Sequence, residues 1–127
     1  PRIDEWNARR AELADRYRKA LGNGKLWSLD SPKPDRTHIY HLFCIRSNMR
    51  HKLQAALTQN GIQSGVYYPR PLHLQDVYAP LRYKQGDFPV AEQLSEELLA
   101  LPMSPFLQQF EQDQVVAALF EAERGEG

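Results

Sequence analysis

The sequence predicts a two-layer α+β fold in which a small, mostly antiparallel sheet packs against helices. Residues 2–21 and about 112–123 carry apolar side chains at helical spacing. Residues 38–45 are rich in aromatic and β-branched side chains, which are typical of strands. The predicted order is helix, strand, helix, strand, loop, helix, short strand and helix. The 127 residues suffice for one domain, predicted over 1–127, and are too few for two separate cores.

The first helix is predicted over residues 2–21, and the Gly-Asn-Gly sequence at 22–24 ends it. Its apolar residues recur at spacings of three, four or seven and form one stripe, which we expect to be buried: Ile3, Trp6, Leu13, Tyr17 and Leu21. A short strand is predicted over residues 25–30. A loop with two prolines follows over residues 31–36.

The clearest strand is predicted over residues 38–45. Both of its faces are apolar, with Ile39, Phe43 and Ile45 on one and Tyr40, Leu42 and Cys44 on the other. This pattern predicts a central strand that is covered on both sides. His41 is then expected to be a hydrogen-bonded histidine within the sheet.

Ser47 is predicted to cap a helix over residues 48–60. A second strand is predicted over 62–68, and prolines end it because they cannot donate to a strand ladder. Residues 69–88 then form a long irregular segment. Loops of this length are usually functional or disordered, and its many large apolar groups argue against disorder.

Asp87 is predicted to cap the next helix, which runs to about residue 99. Its inward residues are expected to be Val90, Ala91, Leu94 and Leu98. A short edge strand over 101–104 follows. The last helix is predicted over about 112–123, with these residues inward: Val115, Val116, Leu119 and Phe120.

Composition excludes several classes of protein. Hydrophobic residues make up 42% of the chain and charged residues 25%, as in globular domains. The longest apolar run, Val115 to Phe120, is too short to span a membrane. The net charge is zero, whereas a general nucleic-acid binder carries a basic excess. Cys44 is the single cysteine, which excludes an internal disulfide or a cysteine-built zinc site. We expect it to be a buried apolar group in a reducing, cytoplasmic setting.

The candidate functional residue is His73, which lies in the irregular segment. Aromatic and hydrogen-bonding side chains surround it in sequence: Tyr67, Tyr68, Arg70, Gln75 and Tyr78. Such a mixture suits a polar ligand, for example a sugar or a phosphate. A purely structural role for His73 stays open. Sequence motifs for a catalytic serine or a phosphate-binding loop are absent.

Five short motifs occur in order between residues 38 and 102. They are HIYHLFCIR over 38–46, YP at 68–69, PLHLQ over 71–75, GDFPVAE over 86–92 and LALP over 99–102. Taken together, they resemble the DegT/DnrJ/StrS-type sugar-nucleotide aminotransferases, which depend on pyridoxal 5′-phosphate (PLP). The resemblance implies the C-terminal small domain of a fold-type I PLP-dependent transferase.

The same resemblance implies a function. The parent enzyme would transfer an amino group from an amino acid, typically glutamate, to a nucleotide-linked keto sugar. It would work as a homodimer with active sites near the subunit boundary. By carry-over from the family, Tyr68 and His73 would contact the sugar or pyrophosphate of the substrate, and Arg70 would lie beside them.

The catalytic centre of such an enzyme is expected outside this chain. PLP chemistry of this kind needs a lysine that forms a Schiff base, and none of the lysines matches the family's motif: Lys19, Lys25, Lys33, Lys52 and Lys84. The chain also opens at Pro1 without a methionine. We therefore expect a fragment that lacks the large PLP-binding domain, holds no catalytic or cofactor-binding residue, and is inactive alone.

Other interpretations stay open at this point. The chain is alternatively a non-catalytic α+β module that binds a ligand or a partner, or, as the weakest hypothesis, a small enzyme centred on His73. A histidine in place of the missing lysine would indicate a related sugar dehydratase. A fragment should expose a contiguous apolar patch, to which Tyr40, Leu42 or the Trp6 stripe would contribute, whereas an independent module should not.

Overall fold

Within residues 2–125, which the computed structural model describes, the chain forms four α-helices and a two-stranded sheet. The predicted α+β class is confirmed. In chain order the elements are α1 (Ile3–Leu21), β1 (Phe43–Arg46), α2 (Arg50–Gln59), α3 (Pro89–Glu97), β2 (Leu98–Leu101) and α4 (Gln109–Arg124). Two short 3-10 helices, Leu72–Leu74 and Asp76–Leu81, lie between α2 and α3.

The sheet is antiparallel throughout. β1 and β2 pair with Phe43 opposite Leu101 and Arg46 opposite Leu98. A single antiparallel bridge extends the sheet on each side, from Ser28 to Arg46 and from Gly65 to Ala100. The strands predicted over 25–30 and 62–68 are therefore each reduced to one bridged residue, and β1 lies between β2 and the Ser28 bridge.

β1 is shorter than the strand predicted over 38–45, because the backbone bends before Phe43. Tyr40 has a φ of +49°, in the left-handed region that interrupts an extended strand. The prediction of two covered faces is wrong at Ile39, which is 58% exposed, and His41 is exposed in a bend instead of lying within the sheet. Cys44 is half-buried, and this burial raises the pKa of its thiol.

α3 and β2 correct a second set of predictions. The edge strand predicted over 101–104 lies at 98–101, because the backbone turns from helical to extended at Leu98. Val90, predicted to point inward, is 70% exposed, and Ala91 is also exposed. Ser95 is the buried residue of α3, while Leu94 is half-buried.

The two predicted side-chain caps act elsewhere. The hydroxyl of Ser47 accepts a hydrogen bond from the Met49 backbone N–H at 2.9 Å and donates to the Leu26 carbonyl, so α2 begins only at Arg50. The Asp87 carboxylate accepts from the Lys84 N–H at 2.8 Å, which closes a turn before α3. Both side chains stabilise the approach to a helix and not its first turn.

α4 packs against both α1 and α2 to form the core. Three of the five residues of the predicted α1 stripe are buried, but Ile3 and Trp6 are 55% and 36% exposed. The largest fully buried side chains include these apolar residues: Leu13, Tyr17, Leu21, Ile45, Leu53, Leu57, Leu99, Val115 and Leu119. Among the helices of residues 2–125, none combines the length and the apolar character needed to cross a membrane.

Candidate functional site

Residues 69–88 are folded against α3, not irregular throughout. Backbone hydrogen bonds from Leu74 to Pro71 and from Gln75 to Leu72, both 3.0 Å, close the first 3-10 helix. Gln75 separates it from the second 3-10 helix, which begins at Asp76 and contains Pro80. The segment therefore has a defined backbone that can hold functional side chains in place.

His73 joins this segment to α3. Its Nε2 lies 2.9 Å from Oε1 of Glu92, a residue in the first turn of the helix. The side chain of His73 is 8% exposed to solvent and that of Glu92 is 17% exposed. The His73 ring also packs against Phe88, with ring centroids 4.9 Å apart. The ring is thus held by one hydrogen bond and one aromatic contact.

Glu92 accepts more than this one hydrogen bond. The Gly86 N–H lies 2.8 and 3.0 Å from its two carboxylate oxygens, and the Phe88 N–H lies 3.4 Å from Oε1. Gly86 has a φ of +95°, which glycine adopts without steric cost. Desolvation of the Glu92 carboxyl raises its pKa, but the hydrogen bonds from Gly86, His73 and Phe88 outweigh it and hold the pKa below the ordinary value.

Tyr68 and Arg70, the other predicted site residues, lie at the open start of the segment. Tyr68 is 69% exposed and has a φ of +56°, a backbone region that is uncommon for a tyrosine. Nη1 of Arg70 forms an exposed ion pair with Oδ1 of Asp76 at 3.1 Å. The Arg70 carbonyl accepts from the side chain of Gln75 at 3.2 Å.

The structure places the three predicted residues on one segment without bringing them into contact. Across residues 2–125, no hydrogen bond, ion pair or ring contact joins Tyr68, Arg70 and His73 to one another. Sequence reasoning missed Glu92, which lies 19 positions from His73 on another element. Glu92 is the last residue of the GDFPVAE motif over 86–92, but an acidic residue in the first turn of a helix is common and gave no sign of a pairing with His73.

The region around the segment exposes many large apolar side chains. Those between residues 67 and 90 are 39% to 74% exposed: Tyr67, Tyr68, Leu72, Val77, Tyr78, Leu81, Tyr83, Phe88 and Val90. We call this set the 67–90 apolar surface. The sequence predicts an exposed apolar patch at other residues, namely Tyr40, Leu42 or the Trp6 stripe. Tyr40 is buried against His38 and Phe43, Leu42 is half-buried, and only the Trp6 part of that expectation is met.

Two open clefts lie away from Tyr68, Arg70, His73 and Glu92, none of which lines either of them. One, of about 480 Å³, lies between residues 61–65 and the start of α4. The other, of about 730 Å³, lies between α1 and residues 29–44, with Lys33 in its rim and the Arg18 guanidinium 5.8 Å from the Tyr40 ring. The part of the chain that the structure describes holds no group of three or more side chains suited to bind a metal ion.

Comparison with curated proteins identifies relatives that are similar in sequence to most of this chain. The chain is 41% identical over 117 residues to the erythromycin biosynthesis sensory transduction protein EryC1 of Saccharopolyspora erythraea, with 92% of this chain and 32% of that protein covered. It is 35% identical over 123 residues to dTDP-3-amino-3,4,6-trideoxy-alpha-D-glucose transaminase of Streptomyces venezuelae, with 96% and 32% covered. The chain thus spans about a third of the length of these relatives.

Solved structures show the same fold. The crystal structure of S. venezuelae DesV in complex with a ketimine intermediate matches with a TM-score of 0.92 and 34% identity, covering 97% of this chain and 33% of that one. The NtdA protein of Bacillus subtilis, solved with bound cofactor PMP, matches with a TM-score of 0.80 and 30% identity, covering 94% and 28%.

A sequence profile decides the family. The profile of the DegT/DnrJ/EryC1/StrS aminotransferases matches residues 1–120, almost the whole chain. This agrees with the five sequence motifs and with the structural matches above. The chain therefore belongs to the DegT/DnrJ/EryC1/StrS aminotransferase family.

Proposed function

We propose that this chain is the C-terminal small domain of a PLP-dependent aminotransferase that transfers an amino group, with glutamate as the donor, to a nucleotide-linked keto sugar. Family membership carries the proposal, and the S. venezuelae transaminase supplies the substrate class. We further propose that the enzyme is a cytoplasmic homodimer. Its large domain belongs to the same polypeptide and holds the cofactor.

The residues of this chain do not by themselves fit PLP. Four of the lysines have exposed side chains, and the fifth, Lys52, is half-buried on α2. Lys33 lines the larger cleft, but it lies on a stretch whose side chains are all exposed. A Schiff-base lysine needs an enclosed site that lowers its pKa, and none of these positions provides one. The covalent step is therefore assigned to the large domain.

The 67–90 apolar surface supports the proposal that a further domain covers part of this chain. Independent small proteins rarely leave so many large apolar side chains in water. A non-catalytic module that works alone should have a more polar surface at this position. The number of exposed aromatic rings here therefore favours the domain of a larger enzyme.

Within that enzyme we propose that Tyr68, Arg70 and His73 contact the substrate. Tyr68 offers an exposed hydroxyl that can donate to or accept from a sugar. The ion pair of Arg70 with Asp76 is exposed and therefore weak, so the guanidinium can exchange its partner for a pyrophosphate oxygen. The side chain of His73 is only 8% exposed, so a small part of the ring is open to a substrate.

The decisive experiment is to express the complete open reading frame that encodes this chain and assay it with glutamate, PLP and a dTDP-linked keto sugar. We expect transamination by the complete protein and no aldimine absorbance when PLP is added to residues 1–127 alone. A reading frame without a PLP-binding region would overturn the proposal, as would a stable aldimine on the short chain that a lysine substitution abolishes.

The site assignment is tested with two variants of the complete protein. Tyr68→Phe and Arg70→Gln should raise KM for the nucleotide sugar by about tenfold, the effect of one lost hydrogen bond to a charged or bound group. Tyr83→Phe is the matched control, because its ring contact with Phe88 survives the loss of the hydroxyl. KM values in Tyr68→Phe and Arg70→Gln that equal those of the control and of the unsubstituted protein would show that Tyr68 and Arg70 do not contact the substrate.

A further inference from the structure

We propose that Glu92 is a positioning residue for His73: its carboxylate holds the imidazole proton on Nε2 and leaves Nδ1 as a hydrogen-bond acceptor. The role toward substrate rests on the proposed function. The tautomer itself is a property of this chain and follows from its geometry.

The direction of the hydrogen bond follows from the chemistry of the partners. Nε2 of His73 and Oε1 of Glu92 are 2.9 Å apart, a normal hydrogen-bond length. An ionised carboxylate only accepts hydrogen bonds, so Nε2 must be the donor. In a neutral ring the proton then resides on Nε2, and Nδ1 carries the free lone pair.

Other contacts keep the carboxylate ionised and fixed. It accepts N–H groups from Gly86 and Phe88, and these donors favour its charged form. It also lies in the first turn of α3, where the helix dipole favours a negative charge. The ring contact with Phe88 fixes the imidazole from a second direction, so His73 has one orientation as well as one tautomer.

The position of the ring proton determines which part of the proposed substrate His73 can bind. An acceptor at Nδ1 complements a sugar hydroxyl, which can donate a hydrogen bond. It does not complement an ionised phosphate, which only accepts. With a neutral ring, His73 therefore complements the sugar and not the pyrophosphate, for which the cationic Arg70 is suited.

The test is nitrogen-15 NMR of the histidine rings in the 127-residue chain at about pH 9, where neutral imidazoles predominate. His51 is exposed on α2 and provides the reference for an unconstrained ring. We expect His73 to show a single Nε2–H tautomer, with its two ring nitrogens more widely separated in chemical shift than those of His51. A His73 ring that is protonated on Nδ1, or that matches His51, would overturn the proposal.

Three variants connect the tautomer to Glu92. Glu92→Gln keeps an acceptor oxygen and should preserve the Nε2–H tautomer, whereas Glu92→Ala should move the His73 shifts toward those of His51. Glu96→Ala, an exposed glutamate on the same helix, should leave them unchanged. Unchanged His73 shifts in a folded Glu92→Ala protein would refute the role of Glu92.

If Glu92→Ala fails to fold, the spectra of the unsubstituted chain and of Glu92→Gln still test the proposal, because a His73 ring protonated on Nδ1 in either protein would refute it. None of these measurements needs substrate, cofactor or a further domain. A negative result would therefore leave the proposed aminotransferase function standing, and an inactive complete protein would leave the tautomer assignment standing.

Discussion

Gln112 is a fully buried amide that ties α4 to α1, and its removal gives the sharpest stability test. Its side chain is 0% exposed. Nε2 donates to the Leu13 carbonyl at 3.0 Å, and Oε1 accepts from the Arg16 guanidinium at 3.3 Å. Buried polar groups of this kind stabilise a fold only while their hydrogen bonds are made.

The expected cost of Gln112→Ala follows from these contacts. Loss of the bond to Leu13 costs about 1 kcal/mol, as is typical for a neutral pair. Loss of a buried methylene adds about 0.8 kcal/mol, and the unfilled space adds to it. The bond from Arg16 contributes less, because this guanidinium also pairs with Asp113 at 2.6 Å. The free energy of unfolding should therefore fall by about 2–3 kcal/mol.

Urea unfolding followed by circular dichroism measures this change. Gln114→Ala is the matched control, because Gln114 is exposed on the same helix and its loss should alter stability by less than about 0.5 kcal/mol. Gln112→Leu restores volume without the hydrogen bonds and should give an intermediate loss. If Gln112→Ala is no less stable than Gln114→Ala, the buried amide does not hold α1 and α4 together.

Three further predictions concern burial and charge. Burial raises the pKa of the Tyr17 phenol, so above about pH 10 the unfolded chain loses this proton before the folded chain does, and the stability of the fold decreases. Tyr17→Phe should flatten this decrease in urea titrations between about pH 8 and pH 11. A variant whose stability decreases in parallel with that of the unsubstituted chain would contradict the assignment. Leu57→Ala should cost about 2–5 kcal/mol because Leu57 is fully buried, whereas Leu72→Ala, 55% exposed, should cost under about 1 kcal/mol in the same assay. The hydrogen bond from Arg46 holds the pKa of Glu97 below its ordinary value. The stabilising effect of this ionised carboxylate is therefore present above about pH 4.3 and is lost as the pH falls through the folded-state pKa. Glu97→Gln should remove this part of the acid dependence of thermal unfolding, and an unchanged pH profile would contradict the prediction.

The helices could be predicted because their burial follows a regular spacing. α1 matches its predicted bounds within one residue, and α4 begins three residues earlier than predicted. The exposure of Trp6 could not be predicted, since spacing shows which residues share a face but not how far along the helix that face is covered. In this structure the Trp6 ring forms a T-shaped contact with the ring of Phe106, with centroids 6.0 Å apart, and Phe106 is itself 68% exposed.

The strands were harder to place for physical reasons. The apolar run at residues 98–101 fits the inward face of a helix and a short buried strand equally well, and only pairing with β1 decides between them. The left-handed backbone at Tyr40 has no marker in the sequence, because the residue there is neither glycine nor asparagine.

The candidate site was predicted only in part. A segment rich in prolines and aromatic residues drew attention to His73, and the structure shows that segment to be ordered. The partner of His73 lies on a different element, and a pairing across 19 positions leaves no periodic pattern in the sequence. Whether Tyr68, Arg70 and His73 contact a substrate stays a prediction.

The direct junction of α3 with β2 has a consequence for length variation. Glu97 ends the helix and Leu98 begins the strand, with no residue between them. One inserted residue in α3 would rotate Glu92 by about 100° relative to the sheet, away from His73, or would exchange the two faces of β2. Natural variation in chain length should therefore avoid this junction and collect in the exposed stretch over residues 31–39, where neither helix phase nor strand register is at stake.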